Sequence, residues 1–116
     1  MSGAPRVEAG TAKQGSLRIE SHRHGSAGTL RLRGAVDVTA TPELQSAFRS
    51  LADAGTTDLT VDLREVELID SAALGTLVHM RRQLAYRGGA LRLAGVPLDI
   101  RRLFAVTGLD RLFTLG

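Results

Sequence analysis

Apolar and polar residues alternate along several short stretches of this chain, and such alternation is typical of β-strands with one buried face. The alternation predicts five strands, at residues 16–20, 29–33, 57–63, 90–94 and 112–115. In the third of these, Leu59, Val61 and Leu63 alternate with polar neighbours. The apolar residues Val66, Leu68 and Ile69 predict that the stretch after this strand is also buried. Because a turn is predicted at residues 22–28, the first two strands are expected to form a hairpin.

Apolar residues at helical spacing predict three helices between the strands. The first begins with Thr41 as its N-cap and Pro42 at the first helical position, and it ends near Gly55. The second follows Ser71, and the third covers residues 97–106. On the second helix the apolar face consists of Leu74, Leu77, Val78, Leu84 and Ala85.

Strands that alternate with crossover helices predict an α/β fold with a mixed sheet that is parallel in its core. We expect one domain over residues 16–116, with four to five strands and about three helices packed against the sheet. At 116 residues the chain is long enough for one core and too short for two domains. Residues 1–15 are small and polar without periodicity, so they are predicted to form a flexible tail.

Composition excludes several classes of function. The chain has no cysteine, which rules out disulfide bonds, thiolate–metal sites and thiol catalysis. Its net charge is +3, and it has one tyrosine and three phenylalanines, so nucleic-acid binding is not expected. The basic pairs at residues 81–82 and 101–102 are interpreted as solvated helix faces. No apolar run is long enough to span a membrane and no secretory signal is recognisable, which predicts a cytoplasmic protein without a membrane partner.

The histidines give no clear sign of a metal site or of catalysis. His22 and His24 lie two residues apart in the predicted turn, but no third ligand is recognisable beside them. His79 lies in the middle of the second helix and is interpreted as a surface residue. No arrangement of Ser, His and Asp and no phosphate-binding glycine loop can be recognised. The sequence therefore predicts no metal, no cofactor and no enzymatic activity.

The junction between the third strand and the second helix, at Asp70 and Ser71, allows two interpretations. Asp and Ser are preferred N-caps, so either side chain could simply satisfy a free backbone N–H and contribute about 1 kcal/mol to stability. Alternatively, the unpaired N–H groups and the dipole of a helix start favour an anion, including a phosphate on Ser71. Asp37 also has two interpretations, as the cap of the turn before Thr39 or as a contact for a partner.

Several segments of the sequence resemble the STAS domain, a family that includes sulfate transporters and anti-sigma factor antagonists. The longest is Leu-Thr-Val-Asp-Leu-Arg-Glu-Val-Glu-Leu-Ile-Asp-Ser-Ala-Ala-Leu-Gly at residues 59–75. The shorter ones are Leu-Arg-Gly-Ala-Val-Asp at residues 32–37, Gly-Gly-Ala-Leu-Arg-Leu at residues 88–93, Leu-Phe at residues 103–104 and Thr-Gly-Leu at residues 107–109. The similarity covers about residues 16–116, and the element Asp-Ser-x-x-Leu-Gly is its most specific part. In bacterial anti-sigma factor antagonists the serine of this element accepts the phosphate, and by position that serine is Ser71.

The resemblance implies an anti-sigma factor antagonist that regulates transcription by switching partners. Such a protein binds an anti-sigma factor while Ser71 is unphosphorylated, which releases a sigma factor, and phosphorylation of Ser71 ends the binding. The anti-sigma factor is then expected to be a serine kinase that uses ATP, and a metal-dependent serine phosphatase is expected to remove the phosphate. The residues expected to contact the partner are Asp37, Thr39, Asp70, Ser71 and Ala72. An alternative is a STAS interaction subunit of a transporter or signalling assembly that is not phosphorylated.

The chain departs from the family pattern directly after the serine. The family usually has Ser or Thr followed by Gly where this chain has Ala72 and Ala73. Because glycine permits close backbone approach, the methyl group of Ala73 is expected to narrow the room for the backbone of a partner. This departure slightly favours the alternative without phosphorylation.

Overall fold

The computed structural model describes residues 7–14 and 17–116, and this part of the chain contains strands, α-helices and a short 3₁₀ helix. In chain order the elements are β1 (Val7–Gln14), β2 (Leu17–His24), β3 (Ala27–Val36), α1 (Thr41–Asp53), β4 (Asp58–Ile69), α2 (Ser71–Tyr86), β5 (Ala90–Ala94), α3 (Leu98–Thr107), the 3₁₀ helix (Leu109–Arg111) and β6 (Thr114–Leu115). None of the helices described is long and apolar enough to cross a membrane.

The strands form one mixed sheet in which the spatial order follows the chain order from β1 to β6. β1, β2 and β3 pair antiparallel, whereas β3, β4, β5 and β6 pair parallel. This arrangement confirms the predicted α/β fold with a mixed sheet that is parallel in its core. Because the parallel strands run in one direction, β3, β4 and β5 end along the same edge of the sheet. α1, α2 and α3 all begin at that edge, which we call the Ser71 edge.

The helices cover one face of the sheet, and alternate strand residues on that face form the core. The buried strand residues include Leu17, Ile19, Leu30, Leu32, Leu59, Val61, Leu63, Leu91 and Leu93. From α2, the side chains of Leu77, Met80 and Leu84 are fully buried against them. Each such side chain contributes about 1.5–3 kcal/mol when it leaves water, so this shared face fixes the register of the central strands.

Within residues 7–14 and 17–116, the opposite face of the sheet carries ion pairs and no second layer of helices. Arg31 lies between two acids, with its Nη1 atom 3.6 Å from Oε1 of Glu20 and its Nε atom 3.7 Å from Oδ2 of Asp62. Arg33 is hydrogen-bonded to Glu65, which raises the pKa of the Arg33 guanidinium and lowers the pKa of the Glu65 carboxyl. Opposite charges thus compensate one another on a face that stays in contact with water.

The segment predicted to be a tail contains a strand. Val7–Gln14 form β1, which pairs antiparallel with the full length of β2. A strand that joins the edge of a sheet bonds through its backbone, so it does not need the alternation of apolar residues on which the sequence analysis relied. The other residues of the predicted tail, 1–6 and 15, lie outside the described part of the chain.

One turn is tighter, and one strand shorter, than the sequence pattern indicates. The turn between β2 and β3 consists of only Gly25 and Ser26, because the strands stay paired up to His24 and Ala27 and Gly25 adopts a φ of +64°. The short final strand begins at residue 114 rather than 112, because the turn that follows the 3₁₀ helix occupies residues 112–113.

The first helix begins at Thr41, which was expected to be its N-cap. The N-cap is Ala40 instead, and its N–H donates a hydrogen bond of 3.0 Å to the carbonyl oxygen of Asp37. The hydroxyl of Thr41 donates to the carbonyl oxygen of Val38 at 3.0 Å. The loop between β3 and α1 is therefore closed by its own hydrogen bonds before the helix starts.

Candidate functional site

Ser71 is the first residue of α2, and its side chain is exposed at the Ser71 edge. Its hydroxyl makes no hydrogen bond to any residue that the structure describes. The backbone N–H groups at the first two helical positions, Ser71 and Ala72, have no acceptor within the helix. The hydroxyl is therefore accessible from solvent at the end of a helix where partial positive charge accumulates.

Asp70, not Ser71, caps the second helix. Its backbone is extended, with φ −107° and ψ 178°, and its Oδ1 atom accepts a hydrogen bond of 2.9 Å from the N–H of Ala73. The N–H of Leu74 donates to the carbonyl oxygen of Asp70 at 3.0 Å and begins the helical pattern. Because the aspartate performs the capping, the serine hydroxyl is not needed for the stability of the helix.

The second carboxylate oxygen of Asp70 ties the start of α2 to the neighbouring loop. Its Oδ2 atom accepts a hydrogen bond of 2.9 Å from the N–H of Val38, which lies between β3 and α1. The N–H of Asp70 in turn donates to the carbonyl oxygen of Val36 at 3.2 Å. Asp70 thus holds two segments that are distant in sequence in one fixed arrangement beside Ser71.

Asp37 organises the same loop from its other end. Its Oδ1 atom accepts hydrogen bonds from the N–H of Thr39 at 3.0 Å and from the Thr39 hydroxyl at 2.7 Å. These bonds, the hydroxyl bond first, lower the pKa of the Asp37 carboxyl below its ordinary value. The capping interpretation of Asp37 thus describes a contact present in the fold, and the carboxylate remains half-buried next to the exposed Thr39.

Three large apolar side chains are exposed at the Ser71 edge, although the sequence pattern predicts cover for the apolar residues after the third strand. Val38 follows β3, Leu68 lies near the end of β4, and Leu98 begins α3 after β5, with exposed fractions of 61%, 54% and 64%. Such side chains lose unfavourable contact with water when another protein covers them. The signal that could have found them is their place, because each lies four or five residues after the end of a predicted parallel strand.

Gly75 lies one helical turn after Ser71 and therefore shares its side of α2. A Cβ atom at Gly75 would meet no other described atom within 4 Å, so packing of the described residues does not require a glycine there. Glycine inside a helix costs about 1 kcal/mol relative to alanine. Gly75 therefore leaves open space on the side of α2 that it shares with Ser71.

The structure places the two alanines after the serine differently. Ala72 is half-buried beside Ser71, whereas Ala73 is fully buried. The expectation that the Ala73 methyl group narrows the room for a partner is wrong, because that methyl group packs into the core. The departure from the family pattern at this position leaves the exposed surface unchanged.

The other residues considered from the sequence lie away from this edge. His22 and His24 belong to β2 rather than to a turn, and His79 is exposed on α2. Among the residues described, no three His, Asp or Glu side chains are grouped closely enough to hold a metal ion. The chemistry that the Ser71 edge offers is therefore a free hydroxyl with unpaired N–H groups, two carboxylates and exposed apolar contacts.

Known proteins share both the sequence and the fold. The family model described as "Mlab, STAS domain" matches residues 19–115. An anti-sigma-B factor antagonist of Staphylococcus epidermidis is 34% identical over 97 residues, which cover 84% of this chain and 90% of the relative. An anti-sigma factor antagonist from Mycobacterium paratuberculosis has a TM-score of 0.71 at 21% identity, over 99% of this chain and 89% of that one. The Bacillus cell fate determinant SpoIIAA, in its phosphorylated form, has a TM-score of 0.64 at 15% identity, over 95% of this chain and 90% of that one.

Proposed function

Because the chain belongs to the STAS domain family, we propose that it is an anti-sigma factor antagonist whose partner binding depends on the state of Ser71. Unmodified Ser71 permits binding of an anti-sigma factor, which releases a sigma factor for transcription. A phosphate on Ser71 ends this binding. The class of partner is supported by the Staphylococcus relative, which is named an anti-sigma-B factor antagonist, and the switch by the phosphorylated form of SpoIIAA.

The observation that carries this proposal is that Asp70 caps α2 whereas the hydroxyl of Ser71 is left free by the residues that the structure describes. Asp70 makes the capping bond to Ala73, while the Ser71 hydroxyl is exposed and has no partner among the described residues. A kinase can therefore modify the hydroxyl without removing a bond that holds the helix. A serine that served only as a cap would be bonded to the backbone of its own helix.

The added charge is large enough to end binding. A phosphate adds about −1.5 to −2 charges and three acceptor oxygens beside Asp70. At about 4 Å, two unit charges interact by roughly 4 kcal/mol at an effective dielectric constant of 20. Repulsion from a carboxylate of the partner, or a clash with a partner surface packed over Gly75, then reduces the binding free energy of the complex by about 2–4 kcal/mol. This loss weakens the affinity by about thirty- to a thousandfold.

The fold itself is expected to tolerate the phosphate. The unpaired N–H groups of Ser71 and Ala72 and the helix dipole favour an anion by up to about 1 kcal/mol at an exposed helix end. The modification therefore changes the surface rather than the fold. Chemical shifts altered across the whole sheet on phosphorylation would contradict this local mechanism.

We extend the proposal to the partners that the family resemblance implies. The anti-sigma factor is a serine kinase that uses ATP and phosphorylates Ser71, and a metal-dependent serine phosphatase removes the phosphate. Asp37, Thr39, Asp70 and Ala72 contact the anti-sigma factor around Ser71. The chain itself acts as ligand and substrate, and it needs no cofactor for this role.

The test is phosphorylation by the kinases of the host. The chain is incubated with ATP and each anti-sigma kinase, and the modified residue is identified by mass spectrometry. We expect one phosphate, on Ser71, and none in Ser71→Ala. Ser50→Ala is the matched control, because Ser50 is an exposed serine in the interior of α1 and its loss should leave the phosphate on Ser71.

Two outcomes would contradict the proposal. One is phosphate on a different residue, with Ser71 unmodified. The other is a chain that captures an anti-sigma factor equally well in the wild-type and the quantitatively phosphorylated form. The second outcome would support the alternative of a STAS interaction subunit that does not switch.

A further inference from the structure

A groove lies between the C-terminal half of α2 and the strands β5 and β6, away from the Ser71 edge. It is lined by Arg81, Ala85, Leu91 and Leu112, and through Ala85 it continues to a shallow depression beside Arg82 and Tyr86. We call this surface the α2–β5 groove. A helix rises 1.5 Å per residue, so Tyr86 lies about 22 Å along α2 from Ser71. The groove is therefore separate from the surface described above.

The aromatic residues of the chain are distributed unevenly between this groove and the core. Phe48, Phe104 and Phe113 are all buried, with exposed fractions of 5%, 0% and 5%. Tyr86 is the one tyrosine of the sequence, and 87% of it is exposed. An aromatic side chain gains considerable contact area when it is covered, and tyrosine is enriched among the residues that dominate protein interfaces.

The charges beside the groove are not compensated within the described part of the chain. Arg81 and Arg82 form no ion pair with any residue that the structure describes, in contrast to Arg31 and Arg33 on the open face of the sheet. Arginine binds carboxylates through two parallel hydrogen bonds when both lie in one plane. Two such side chains, with the exposed Leu112 and Tyr86 beside them, complement an acidic segment that also carries apolar side chains.

We propose that the α2–β5 groove is a docking site for an acidic segment of a partner protein. Carboxylates of the segment bind Arg81 and Arg82, and apolar side chains of the segment pack against Leu112 and against Tyr86. A protein segment is favoured over a nucleic acid because a single aromatic ring offers no series of stacking surfaces for bases. It is favoured over a membrane because two arginines and one tyrosine are too few for stable attachment to a lipid surface.

This site is independent of the switch at Ser71. A segment held in the groove leaves the opposite end of α2 accessible, so the chain can be tethered to one protein while its Ser71 edge is bound or phosphorylated by another. Binding in the groove does not depend on the anti-sigma factor, so its test uses no kinase and no anti-sigma factor.

The test is a titration of the ¹⁵N-labelled chain with two short synthetic peptides. In one, glutamate alternates with leucine, and in the other glutamine replaces each glutamate. We expect saturating amide shifts at Ala85, Tyr86 and Leu112 with the glutamate peptide and none with the glutamine peptide. The double variant Arg81→Ser/Arg82→Ser is expected to weaken this binding at least about tenfold, which corresponds to 1.4 kcal/mol.

A matched control separates docking from the attraction of any acid to a basic chain. Arg49→Ser/Arg102→Ser removes two positive charges from exposed positions on α1 and α3, and it should leave the affinity within about twofold of the wild type. Equal weakening by both double variants would overturn the proposal. So would shifts centred on Ser71, or binding of phosphatidylserine vesicles or single-stranded DNA at the groove in the absence of peptide binding.

Discussion

Replacing Asp70 with alanine should destabilise the fold by removing two hydrogen bonds at once. The first joins Oδ1 to the N–H of Ala73 and caps α2, and its loss costs about 1 kcal/mol. The second joins Oδ2 to the N–H of Val38. A bond to a charged acceptor contributes about 1.5–3 kcal/mol when buried, but Val38 is exposed and water can replace the acceptor, so we assign it about 1 kcal/mol.

The expected loss for Asp70→Ala is therefore about 2 kcal/mol in the free energy of unfolding. For a domain of this size the midpoint of thermal unfolding should fall by about 8 °C. Asp70→Asn keeps one carbonyl oxygen for the capping bond but presents an amide group to Val38, so it should lose about half as much. Thermal and denaturant unfolding, followed by circular dichroism, give both values.

The control for this series is Asp53→Ala. Asp53 is an exposed aspartate at the last position of α1, where the helix dipole disfavours a negative charge, so its removal should leave stability unchanged or slightly higher. An Asp70→Ala chain that unfolds within about 2 °C of the wild type would refute the reasoning. So would an Asp70→Asn chain that is as unstable as Asp70→Ala.

Four further predictions follow from the geometry. The pKa of the Asp37 carboxyl should lie below its ordinary value of 3.8. Its contribution to stability is therefore complete above pH 3.8 and is lost as the pH falls through the lowered pKa of the folded state. A carbon-13 titration of this carboxyl with a midpoint at or above 3.8 would contradict this prediction. Gly75→Ala should stabilise the fold by about 0.5–1 kcal/mol and yet weaken the binding of the anti-sigma factor. An unchanged affinity in calorimetry would show that Gly75 does not contact the anti-sigma factor. Leu98→Ser should weaken the binding of the anti-sigma factor about tenfold and change the free energy of unfolding by less than about 0.5 kcal/mol. A larger loss of stability with unchanged binding would mean that Leu98 packs in the core. Gly89→Ala should destabilise the fold by about 3 kcal/mol in urea unfolding, because its Cβ would lie 1.9 Å from the carbonyl oxygen of Thr57. Stability equal to that of the wild type would show that the backbone moves apart at this contact without cost.

The central strands could be predicted from the sequence because one of their faces is buried. In β4 and β5 the buried leucines and valines alternate with polar residues, and the alternation is visible without any knowledge of the fold. β1 could not be predicted in this way, because an edge strand is recruited through backbone bonds. The extent of the hairpin between β2 and β3 likewise depends on Gly25, whose positive φ permits a two-residue turn.

The candidate site could be predicted only in part. The resemblance to a known family pointed to Ser71, and the pattern of strand followed by helix placed it at a helix start. The bond between Asp70 and Val38 joins residues separated by 32 positions, so no local pattern could indicate it. The exposure of Leu98 is also a tertiary property, because an apolar residue at the start of an amphipathic helix is equally compatible with burial.

The most direct test of the account compares the affinity of the anti-sigma factor for the unmodified chain and for the chain phosphorylated at Ser71. Isothermal titration calorimetry measures both, and ¹⁵N spectra of the two forms verify that the sheet is unchanged. We predict that phosphorylation weakens binding at least about thirtyfold while the spectra differ only around the Ser71 edge. Equal affinities for two forms with the same fold would contradict the claim that charge at Ser71 controls docking.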